Sequence, residues 1–483
     1  MRPSSATGLR LDLATVVGAG FVLWGLSIGL DAISDNSFFT HLATGRLILD
    51  DGIPRHDPYS FTAVGEPWVV QSWLASWAYG WLDSWWGLHG VGLLMGLTTA
   101  VLAGLVWSLT RPAQALAGRI LLAGLVLGVG TSVWAPRPLL IGLVLFTVTL
   151  LVAEGRLPAW VLLPAMWVWV NSHGSFPLAL VALACLALGR RLDGDTSTGP
   201  ELKGLAWAVG GVAVGMINPL GPVLVLFPVR LLQRQEVLSQ IIEWQSPSFS
   251  SGWTRLFLAQ VLLAIVLLVR KPSYRAVIPL IVFTAAALLG VRNIALASIV
   301  LVPGMARGLA GLGSITGTEP RGRRVAIAGL VVIALVGGVL VSRSFDEPAL
   351  DLRTYPVDAL AFVSQAGWLD TDARVATQET VGNYLELVRG RDADVFIDDR
   401  VDMYPEEVVN DFLTLLRGRP DWRDVIEERE IDVVLWEANQ PLSALLGDDP
   451  SWRIPYADGT WIVACQRESA ALSDAVAAGA TAC

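Results

Sequence analysis

Long apolar runs, interrupted by short polar segments, dominate the chain up to about residue 344. Runs such as 121–133 and 325–341 consist almost entirely of aliphatic residues and glycine. Because the bilayer core offers no water to hydrogen-bond the backbone, such runs must form helices there. The predicted spans are 13–30, 87–108, 119–134, 138–153, 158–170, 176–189, 204–217, 254–269, 275–291, 293–306 and 324–342. We therefore predict about eleven membrane helices.

The first apolar run, 13–30, has two interpretations. A cleaved signal peptide would also place an apolar segment near the N-terminus. This run is 18 residues long, lacks a small-residue cleavage pattern and continues into an acidic segment. We interpret it as the first membrane helix.

The pattern changes near Phe345, where the chain becomes charged and loses its long apolar runs. Strand-like segments at 374–377, 394–397 and 432–436 alternate with helix-like segments at 381–388, 406–416 and 422–428. Segments 452–456 and 460–465, joined by Ala-Asp-Gly, predict a hairpin. We therefore predict a helical membrane domain over 1–344 with an outer loop at 31–86, an α/β domain over 345–467, and a disordered tail over 468–483.

Composition supports the membrane assignment. Hydrophobic residues make up 53% of the chain, charged residues only 16%, and the mean hydropathy is +0.55. Soluble proteins carry about 25% charged residues. The net charge of −9 argues against nucleic acid as a partner. The three cysteines have no metal-site spacing, and a disulfide framework is not expected.

Basic residues fix the predicted orientation, because cytoplasmic loops are enriched in lysine and arginine. One set of connections holds fifteen basic residues: Arg2, Arg10, Arg111, Arg119, Arg156, Arg190, Arg191, Lys203, Arg270, Lys271, Arg275, Arg307, Arg321, Arg323 and Arg324. The other set holds seven: Arg46, Arg55, Arg137, Arg230, Arg234, Arg255 and Arg292. The N-terminus is therefore predicted inside, and the C-terminal domain outside.

The unusual polar motifs all fall on the predicted outer face. The candidate site residues are Asp31, Asp35, His41, Asp57, Arg137, Asn171, His173, Asn218, Glu243, Arg292 and Asn293. Ionisable groups at membrane depth are costly and usually functional, so we expect these residues to line an outer cavity.

Each candidate also has a structural alternative. Asp35 is a suitable helix cap, and Asp57-Pro58 a turn. His41 lies on an expected interfacial helix, 38–49, where it would face water. Helices could instead be capped by Asn171, His173, Asn218 and Glu243. Arg292 could extend to the lipid headgroups or form an ion pair. Arg137 lies between two prolines, and its guanidinium group suits the binding of an anion such as phosphate. The tryptophan-rich segment 68–86 fits an interfacial helix.

The chain has no P-loop, dinucleotide-binding glycine pattern, zinc spacing or nucleophile elbow. An enzyme on the outer face needs an activated donor within the membrane, and a polyprenyl-phosphate sugar meets that need. A carboxylate would take the proton of the acceptor hydroxyl. An arginine, or a divalent cation held by acidic residues, would stabilise the leaving phosphate.

The motifs resemble those of a widespread group of bacterial multi-pass membrane proteins. The resemblance covers about residues 31–467, and its motifs lie at 35–45, 52–54, 57–62, 65–69, 73–74, 137–138, 170–174, 218–221, 243–247, 292–293, 395–400 and 403–404. The group is similar to the GT-C glycosyltransferases, which use lipid-phosphate sugars. This implies an α-helical polytopic GT-C-like bundle with an extracytoplasmic α/β domain, in the bacterial inner membrane.

The resemblance also implies a catalytic acid in the first outer loop, where Asp35 matches best and Asp31 is next. Many members carry a second acid two positions later, whereas Ser37 stands here, so a metal site in this loop would need Asp31 or Asp57. The implied partners are a polyprenyl-phosphate-linked sugar, membrane lipid and an outer glycan or lipid acceptor.

Three other roles stay open at this point. The chain could be a non-catalytic lipid or glycan transporter, an envelope-assembly protein, or a transferase of another group such as a phospholipid headgroup. The α/β domain could bind the acceptor or a partner protein. Its Asp398-Asp399-Arg400 sequence fits either a site at a strand end or a structural salt bridge.

Overall fold

A computed structural model describes residues 12–234, 238–312 and 320–483, and the side chains of all these except 320–322. Arg2, Arg10 and the side chain of Arg321, which we used for orientation, lie outside these residues. The described chain forms helices connected by short loops up to Asp346, followed by alternating helices and strands. It divides into two compact units.

The helices of the apolar part follow its hydrophobic runs. They are α1 (Leu13–Leu30), α2 (Asn36–Asp51), α3 (Trp73–Leu109), α4 (Leu116–Val133), α5 (Leu139–Ala153), α6 (Leu162–Ser172), α7 (Pro177–Leu192), α8 (Pro200–Gly215), α9 (Val223–Gln233), α10 (Gly252–Arg270), α11 (Tyr274–Leu289), α12 (Ile294–Val300), α13 (Val302–Leu309) and α14 (Pro320–Asp346). Short 3₁₀ turns occur at Arg111–Ala113, Ala159–Val161, Ile242–Trp244 and Val291–Asn293.

The remaining elements are α15 (Val357–Gln365), β1 (Arg374–Thr377), α16 (Glu379–Arg389), α17 (Glu406–Arg417), α18 (Trp422–Glu428), β2 (Ile431–Glu437), α19 (Pro441–Asp448), β3 (Trp452–Ala457), β4 (Trp461–Gln466) and α20 (Ala470–Ala477). Two further 3₁₀ turns lie at Trp368–Asp370 and Gly390–Ala393.

The first unit, 1–33, 82–229 and 239–349, is a helical bundle. Among the described residues, five helical segments are long and apolar enough to cross a membrane: Leu13–Leu30, Trp73–Ala113, Leu116–Val133, Gly252–Arg270 and Arg323–Asp346. Glycines let the helices approach closely. A Cβ on Gly25 of α1 would lie 2.6 Å from the Thr99 carbonyl oxygen of α3. The protein is therefore an α-helical membrane protein, while the number of eleven spans stays a prediction.

The second unit, 34–81, 230–238 and 350–483, contains α2 and a four-stranded sheet of order β1-β2-β4-β3. β1 and β2 are parallel, with Val375 opposite Val433, and the remaining pairs are antiparallel. The two central strands, β2 and β4, are buried and rich in valine and isoleucine, the residues that pleated strands favour. α2 packs against α16, and Phe39 of α2 contacts the ring of Tyr384 at a centroid distance of 6.0 Å.

Several boundaries differ from those that we predicted. The contact division assigns 34–81 to the unit of the C-terminal residues, whereas we had placed the outer loop 31–86 with the helical domain. The predicted strand 394–397 forms only a single bridge, from Val395 to Ser60. Three helices, α9, α15 and α19, were not predicted. Pro228 and Arg230 interrupt the apolar pattern of α9.

The predictions for the C-terminal end were wrong. We expected disorder after Arg467, but Ala470–Ala477 is helical, with Leu472 and Ala475 buried. We did not expect a disulfide framework, but one disulfide bonds Cys465 of β4 to Cys483. The two cysteines belong to segments that local sequence patterns treat separately, so their pairing is a tertiary feature.

Candidate functional site

Helix α2 begins with a capped first turn in the second unit. Asp35 is its N-cap, and Asp35 Oδ1 accepts a hydrogen bond from the Phe38 amide at 3.3 Å. Such a carboxylate satisfies one of the backbone donors that a helix start leaves unpaired. The capping alternative for Asp35 is thus confirmed, and its catalytic role stays a prediction.

At the point where α2 crosses the start of α3, each helix carries a glycine. A Cβ on Gly45 would lie 2.0 Å from the Ser76 carbonyl oxygen, and one on Gly80 would lie 2.4 Å from the Gly45 carbonyl carbon. Only glycine permits this approach. The close crossing brings His41 Nδ1 to 3.1 Å from Ser76 Oγ. His41 is therefore held within the second unit, and it does not simply face water.

A cavity of about 130 Å³ lies beside α2, and we call it the acidic cavity. Its walls are mostly polar. They include Ser37, Thr40, His41, Gln71, Asp399, Arg400 and Asp402. A buried water needs about 10–15 Å³ on this measure, so the cavity has room for several waters or one small polar group.

Asp399 is held at the first turn of α2. Asp399 Oδ2 accepts a hydrogen bond from Ser37 Oγ, and Oδ1 accepts one from Asn383 Nδ2 at 2.7 Å. Asn383 Nδ2 also donates to the Asn36 carbonyl at 3.2 Å, and its Oδ1 accepts from the Asp399 amide at 3.1 Å. Position 37 of α2 is a serine, and its hydroxyl group contacts a carboxylate supplied by Asp399, 362 positions later in the chain.

Arg400 is the centre of a buried ion-pair network. Its guanidinium binds Asp398 through Nε at 2.9 Å and Nη2 at 2.6 Å, and binds Asp57 through Nη2 at 2.7 Å. Its planar group lies over the rings of Trp68 and Tyr59, at 4.4 and 4.9 Å. Arg400 is 6% exposed, and both carboxylates are fully buried. Burying an arginine is costly unless its charge is paired in this way.

Asp57 serves two purposes in this network. It forms the predicted turn, because Asp57 Oδ2 accepts a hydrogen bond from the Ser60 amide at 2.9 Å. It also pairs with Arg400. The turn alternative is therefore confirmed, and the ion pair is an additional role that the local sequence does not reveal.

The pKa values of two acids beside Arg400 are shifted in opposite directions. Burial, followed by the charge of Asp398, raises the pKa of Glu386 well above its ordinary value. Burial also opposes ionisation of Asp398, but the charge and hydrogen bonds of Arg400 outweigh it and lower the pKa of Asp398. The surroundings therefore favour the neutral form of Glu386, whose Oε2 accepts a hydrogen bond from Thr40 Oγ1 at 2.5 Å, and the ionised form of Asp398.

Two further acids of this unit titrate near neutral pH. Burial raises the pKa of Asp402 to about 7, against the lowering effects of Arg400 and Arg234. Burial, followed by the charge of Asp399, raises the pKa of Glu379 to about 7. A carboxyl group with such a pKa can accept and release a proton under physiological conditions. Asp402 lines the acidic cavity, so the cavity combines a proton-transfer group with the Asp399 carboxylate.

In the first unit, three predicted residues form one group, which we call the Arg137 cluster. Arg137 forms a salt bridge with Glu243. Arg292 lies over the ring of Trp244 at 4.3 Å, and both Glu243 and Arg137 act on it electrostatically. Two guanidinium groups and one carboxylate leave the cluster with an excess positive charge. Guanidinium groups suit phosphate, so this cluster is the best anion-binding candidate that the sequence predicted.

The other predicted residues of the first unit stabilise helix ends and turns. Asn171 donates to the Trp167 carbonyl at 2.7 Å, and Asn293 to the Ala286 carbonyl at 2.9 Å. Asn218 Nδ2 donates to the Gly215 carbonyl at 2.7 Å, and its Oδ1 accepts from the Leu220 amide. His173 Nδ1 lies 2.8 Å from Ser175 Oγ. These contacts confirm the structural alternatives, while substrate binding by these residues stays a prediction.

Asp31, the second catalytic candidate, belongs to the first unit as the C-cap of α1. It lines a small cavity with His89 and Glu347. Among the described residues, no group of three or more His, Cys, Asp or Glu side chains has the arrangement of a metal site.

Sequence reasoning missed three residues of the second unit. Glu386 lies between Leu385 and Leu387 on an amphipathic helix, and Asn383 lies one turn earlier. Asp402 follows the Asp398–Arg400 run, which we had interpreted as a strand end or a salt bridge. Nothing in the local pattern marks Glu386 as buried. Asp399 lies in the motif at 395–400, and Asp402 lies between that motif and the one at 403–404. These positions were the available sequence signal for the two residues.

Comparisons with known proteins support the fold. No protein-family model and no curated protein matches the chain. The archaeal oligosaccharyltransferase AglB from Archaeoglobus fulgidus, solved in complex with an inhibitory peptide and a dolichol-phosphate, is similar over 87% of this chain and 69% of its own. The sequence identity is 11% and the TM-score 0.51.

The apo form of the Archaeoglobus fulgidus oligosaccharyltransferase aligns over the same shares, at 11% identity and a TM-score of 0.47. At such identity the likeness to AglB concerns the fold alone. The predicted resemblance is therefore supported at the level of the fold.

Proposed function

We propose that the protein is a membrane glycosyltransferase that transfers a sugar from a polyprenyl-phosphate donor to an extracytoplasmic glycan or lipid acceptor. One observation carries the proposal: a chain similar in fold to AglB, which was solved with a dolichol-phosphate, encloses a mostly polar cavity lined in part by Asp399 and Asp402, in the unit that contains residues 34–81. Glycosyl transfer needs a proton acceptor and a group that stabilises the leaving phosphate.

In the proposed reaction, Asp35 takes the proton of the acceptor hydroxyl. The acceptor oxygen then forms a bond to the anomeric carbon, and the bond between that carbon and the phosphate oxygen breaks. The electron pair leaves with the polyprenyl phosphate. The added negative charge of the phosphate needs a cationic partner, and Arg137 and Arg292 of the first unit are the candidates for that role.

Two observations support placing the C-terminal residues on the outer side. The basic connections favour a cytoplasmic N-terminus. In addition, Cys465 is bonded to Cys483, and disulfides persist in oxidising compartments outside the cytoplasm. We therefore propose a bacterial plasma membrane protein whose α/β part is extracytoplasmic.

The decisive experiment uses Asp35→Asn in the full chain, reconstituted in lipid nanodiscs. Asparagine is also a good N-cap, so α2 keeps its cap while the base is lost. With labelled short-chain polyprenyl-phosphate hexoses and a membrane acceptor extract, we expect a loss of transfer of at least about 100-fold.

Asp12→Asn is the matched control, since Asp12 is the N-cap of α1 and accepts from the Thr15 amide at 2.9 Å. That variant should transfer at the wild-type rate. Transfer by Asp35→Asn at the wild-type rate would exclude Asp35 as the base. Donor binding without transfer by the wild-type protein would instead favour a transporter or assembly protein.

A further inference from the structure

A pocket of about 380 Å³ lies in the first unit, where several of its apolar helices end, and we call it the Arg190 pocket. Sites for small ligands have volumes of about 300–1,000 Å³. Glu154 is the C-cap of α5, Asp193 is the C-cap of α7, and Arg307 lies in the last turn of α13. The remaining residues of the wall are Ala153, Arg190, Asp195, Pro200 and Arg275. Its three arginines belong to the set of basic residues that predicts the cytoplasmic side.

The wall carries charges of both signs in equal number, three arginines and three carboxylates. Glu154 binds Arg275 at 2.9 Å and Arg307 at 2.7 Å. Asp195 binds Arg190 at 2.5 Å. The pairs are partly open to solvent, since the side chains of Arg190, Arg307 and Asp195 are 26%, 33% and 46% exposed. A ligand in the pocket therefore meets both cations and anions.

Two of these arginines are incompletely paired among the residues that the structure describes. Nε of Arg190 and Nη2 of Arg307 are buried and have no hydrogen-bond partner there. Buried donors in folded proteins are nearly always paired. Guanidinium groups bind phosphate oxygens strongly, so these two arginines favour a phosphate as an additional acceptor at this wall.

The balance of charges favours a dipolar ligand. A simple anion would be repelled by the three carboxylates, and a simple cation by the three arginines. A group with one phosphate and one ammonium avoids both repulsions. Quaternary ammonium groups are held by aromatic cages, and none of the residues that line the Arg190 pocket is aromatic. A primary ammonium instead donates hydrogen bonds to carboxylates, which this wall supplies.

The surface of α7 next to the pocket favours a lipid as the source of this group. Leu188 and Leu192 lie four positions apart, on one face of α7, and are 53% and 54% exposed. This apolar face leads directly to Asp193 of the pocket wall. Acyl chains can cover the two leucines while the headgroup occupies the pocket.

We infer that the Arg190 pocket binds the headgroup of a membrane lipid that carries a phosphate and a primary ammonium, a phosphoethanolamine group. Arg190 and Arg307 bind the phosphate, and Asp195, the most exposed acid of the ion pairs, accepts hydrogen bonds from the ammonium. This lipid site is separate from the residues of the proposed transfer reaction, and the inference does not depend on that reaction.

The test measures lipid binding directly. Full-length protein in detergent micelles is titrated with short-chain phosphatidylethanolamine, phosphatidylcholine, phosphatidylglycerol and soluble glycerophosphoethanolamine, and native mass spectrometry counts the bound molecules. We expect phosphatidylethanolamine to bind at least about tenfold more tightly than the other two lipids, the loss expected without one hydrogen bond to a charged group. Glycerophosphoethanolamine should bind more weakly than the lipid, because it has no acyl chains. Equal affinity of this soluble ligand would contradict the lipid source.

Asp195→Asn removes the charge that attracts the ammonium, while its amide oxygen can still accept the hydrogen bonds of Ser197. We expect the preference for phosphatidylethanolamine over phosphatidylcholine to fall at least about tenfold in this variant, with an unchanged thermal unfolding midpoint. Arg307→Gln should weaken the binding of all three lipids, because they share the phosphate.

Asp346→Asn, at an exposed acid of the same unit, is the matched control and should keep the wild-type preference. Equal binding of the three lipids by the wild type, or tightest binding of phosphatidylglycerol, overturns the inference. An undiminished preference in folded Asp195→Asn overturns it as well, even if Arg307→Gln fails to fold.

Discussion

The Arg400 network and the Arg137 cluster both pair arginine with carboxylates, but their burial and charge balance differ. Arg400 is 6% exposed, has two carboxylate partners, and has aromatic rings over its plane. Arg137 is 26% exposed and its partner Glu243 is 43% exposed, with a second arginine nearby. In the first arrangement two carboxylates face one guanidinium group, which leaves no positive charge for a ligand, whereas in the second two guanidinium groups face one carboxylate. Burial with an excess of carboxylates indicates a structural arginine, and partial exposure with an excess of guanidinium groups indicates an anion site.

The largest expected effect follows from removing Arg400. Arg400→Met leaves the carboxylates of Asp57 and Asp398 buried without their counter-charge, and breaking such a pair costs about 3–5 kcal/mol. We expect a large fall in the thermal unfolding midpoint of the second unit and rapid proteolysis of it in the full-length protein. Arg391→Met is the matched control, because Arg391 pairs with Asp51 at an exposed position and should change stability by about 0–1 kcal/mol. Equal stability of the two variants would contradict a structural role of Arg400.

A smaller effect, on activity and not on stability, is expected at the Arg137 cluster. Arg137→Ala and Arg292→Ala should each lower kcat/KM for the lipid-phosphate donor by about 100-fold, the usual loss when one group that stabilises a developing negative charge is removed. Both variants should unfold near the wild-type midpoint. Arg255→Ala, at an exposed arginine of the same unit, should retain activity. If kcat/KM stays unchanged in both cluster variants, the phosphate role is wrong.

The smallest effect is a pH dependence that belongs to the second unit. The pKa of Asp402 is raised to about 7 from 3.8, so its neutral form stabilises the fold below pH 4, and this contribution is lost as the pH rises to about 7. Asp402→Asn should therefore show a smaller fall in unfolding midpoint between pH 4.5 and 8 than the wild type. Thermal scans across that range provide the measurement. An identical slope in both proteins would show that Asp402 does not titrate in the fold.

Local patterns predicted a helix or strand well where the burial of its own apolar residues decides its bounds. The first helix was predicted at 13–30 and is Leu13–Leu30, the strand at 374–377 is Arg374–Thr377, and the helix at 422–428 is Trp422–Glu428. Gly87, where we began the second span, is the residue at which α3 departs from helical geometry, with φ 65°. Transfer of apolar side chains from water is additive along a run, so the sequence alone contains this information.

The site depended on contacts that no local pattern encodes. Ser37 stands where many members of the similar group carry an acid, and it donates a hydrogen bond to Asp399. Asp57 pairs with Arg400. The predicted strand 394–397 forms one bridge, because its residue Val395 pairs with Ser60 in a loop and not with another strand. The sequence by itself determined most of the helices and strands and the list of candidate residues, since these follow from hydrophobic transfer and periodicity. Only the tertiary structure decided which of those residues are caps, which is a buried counter-charge and which line a cavity, because desolvation and ion pairing depend on residues that are far apart in the chain.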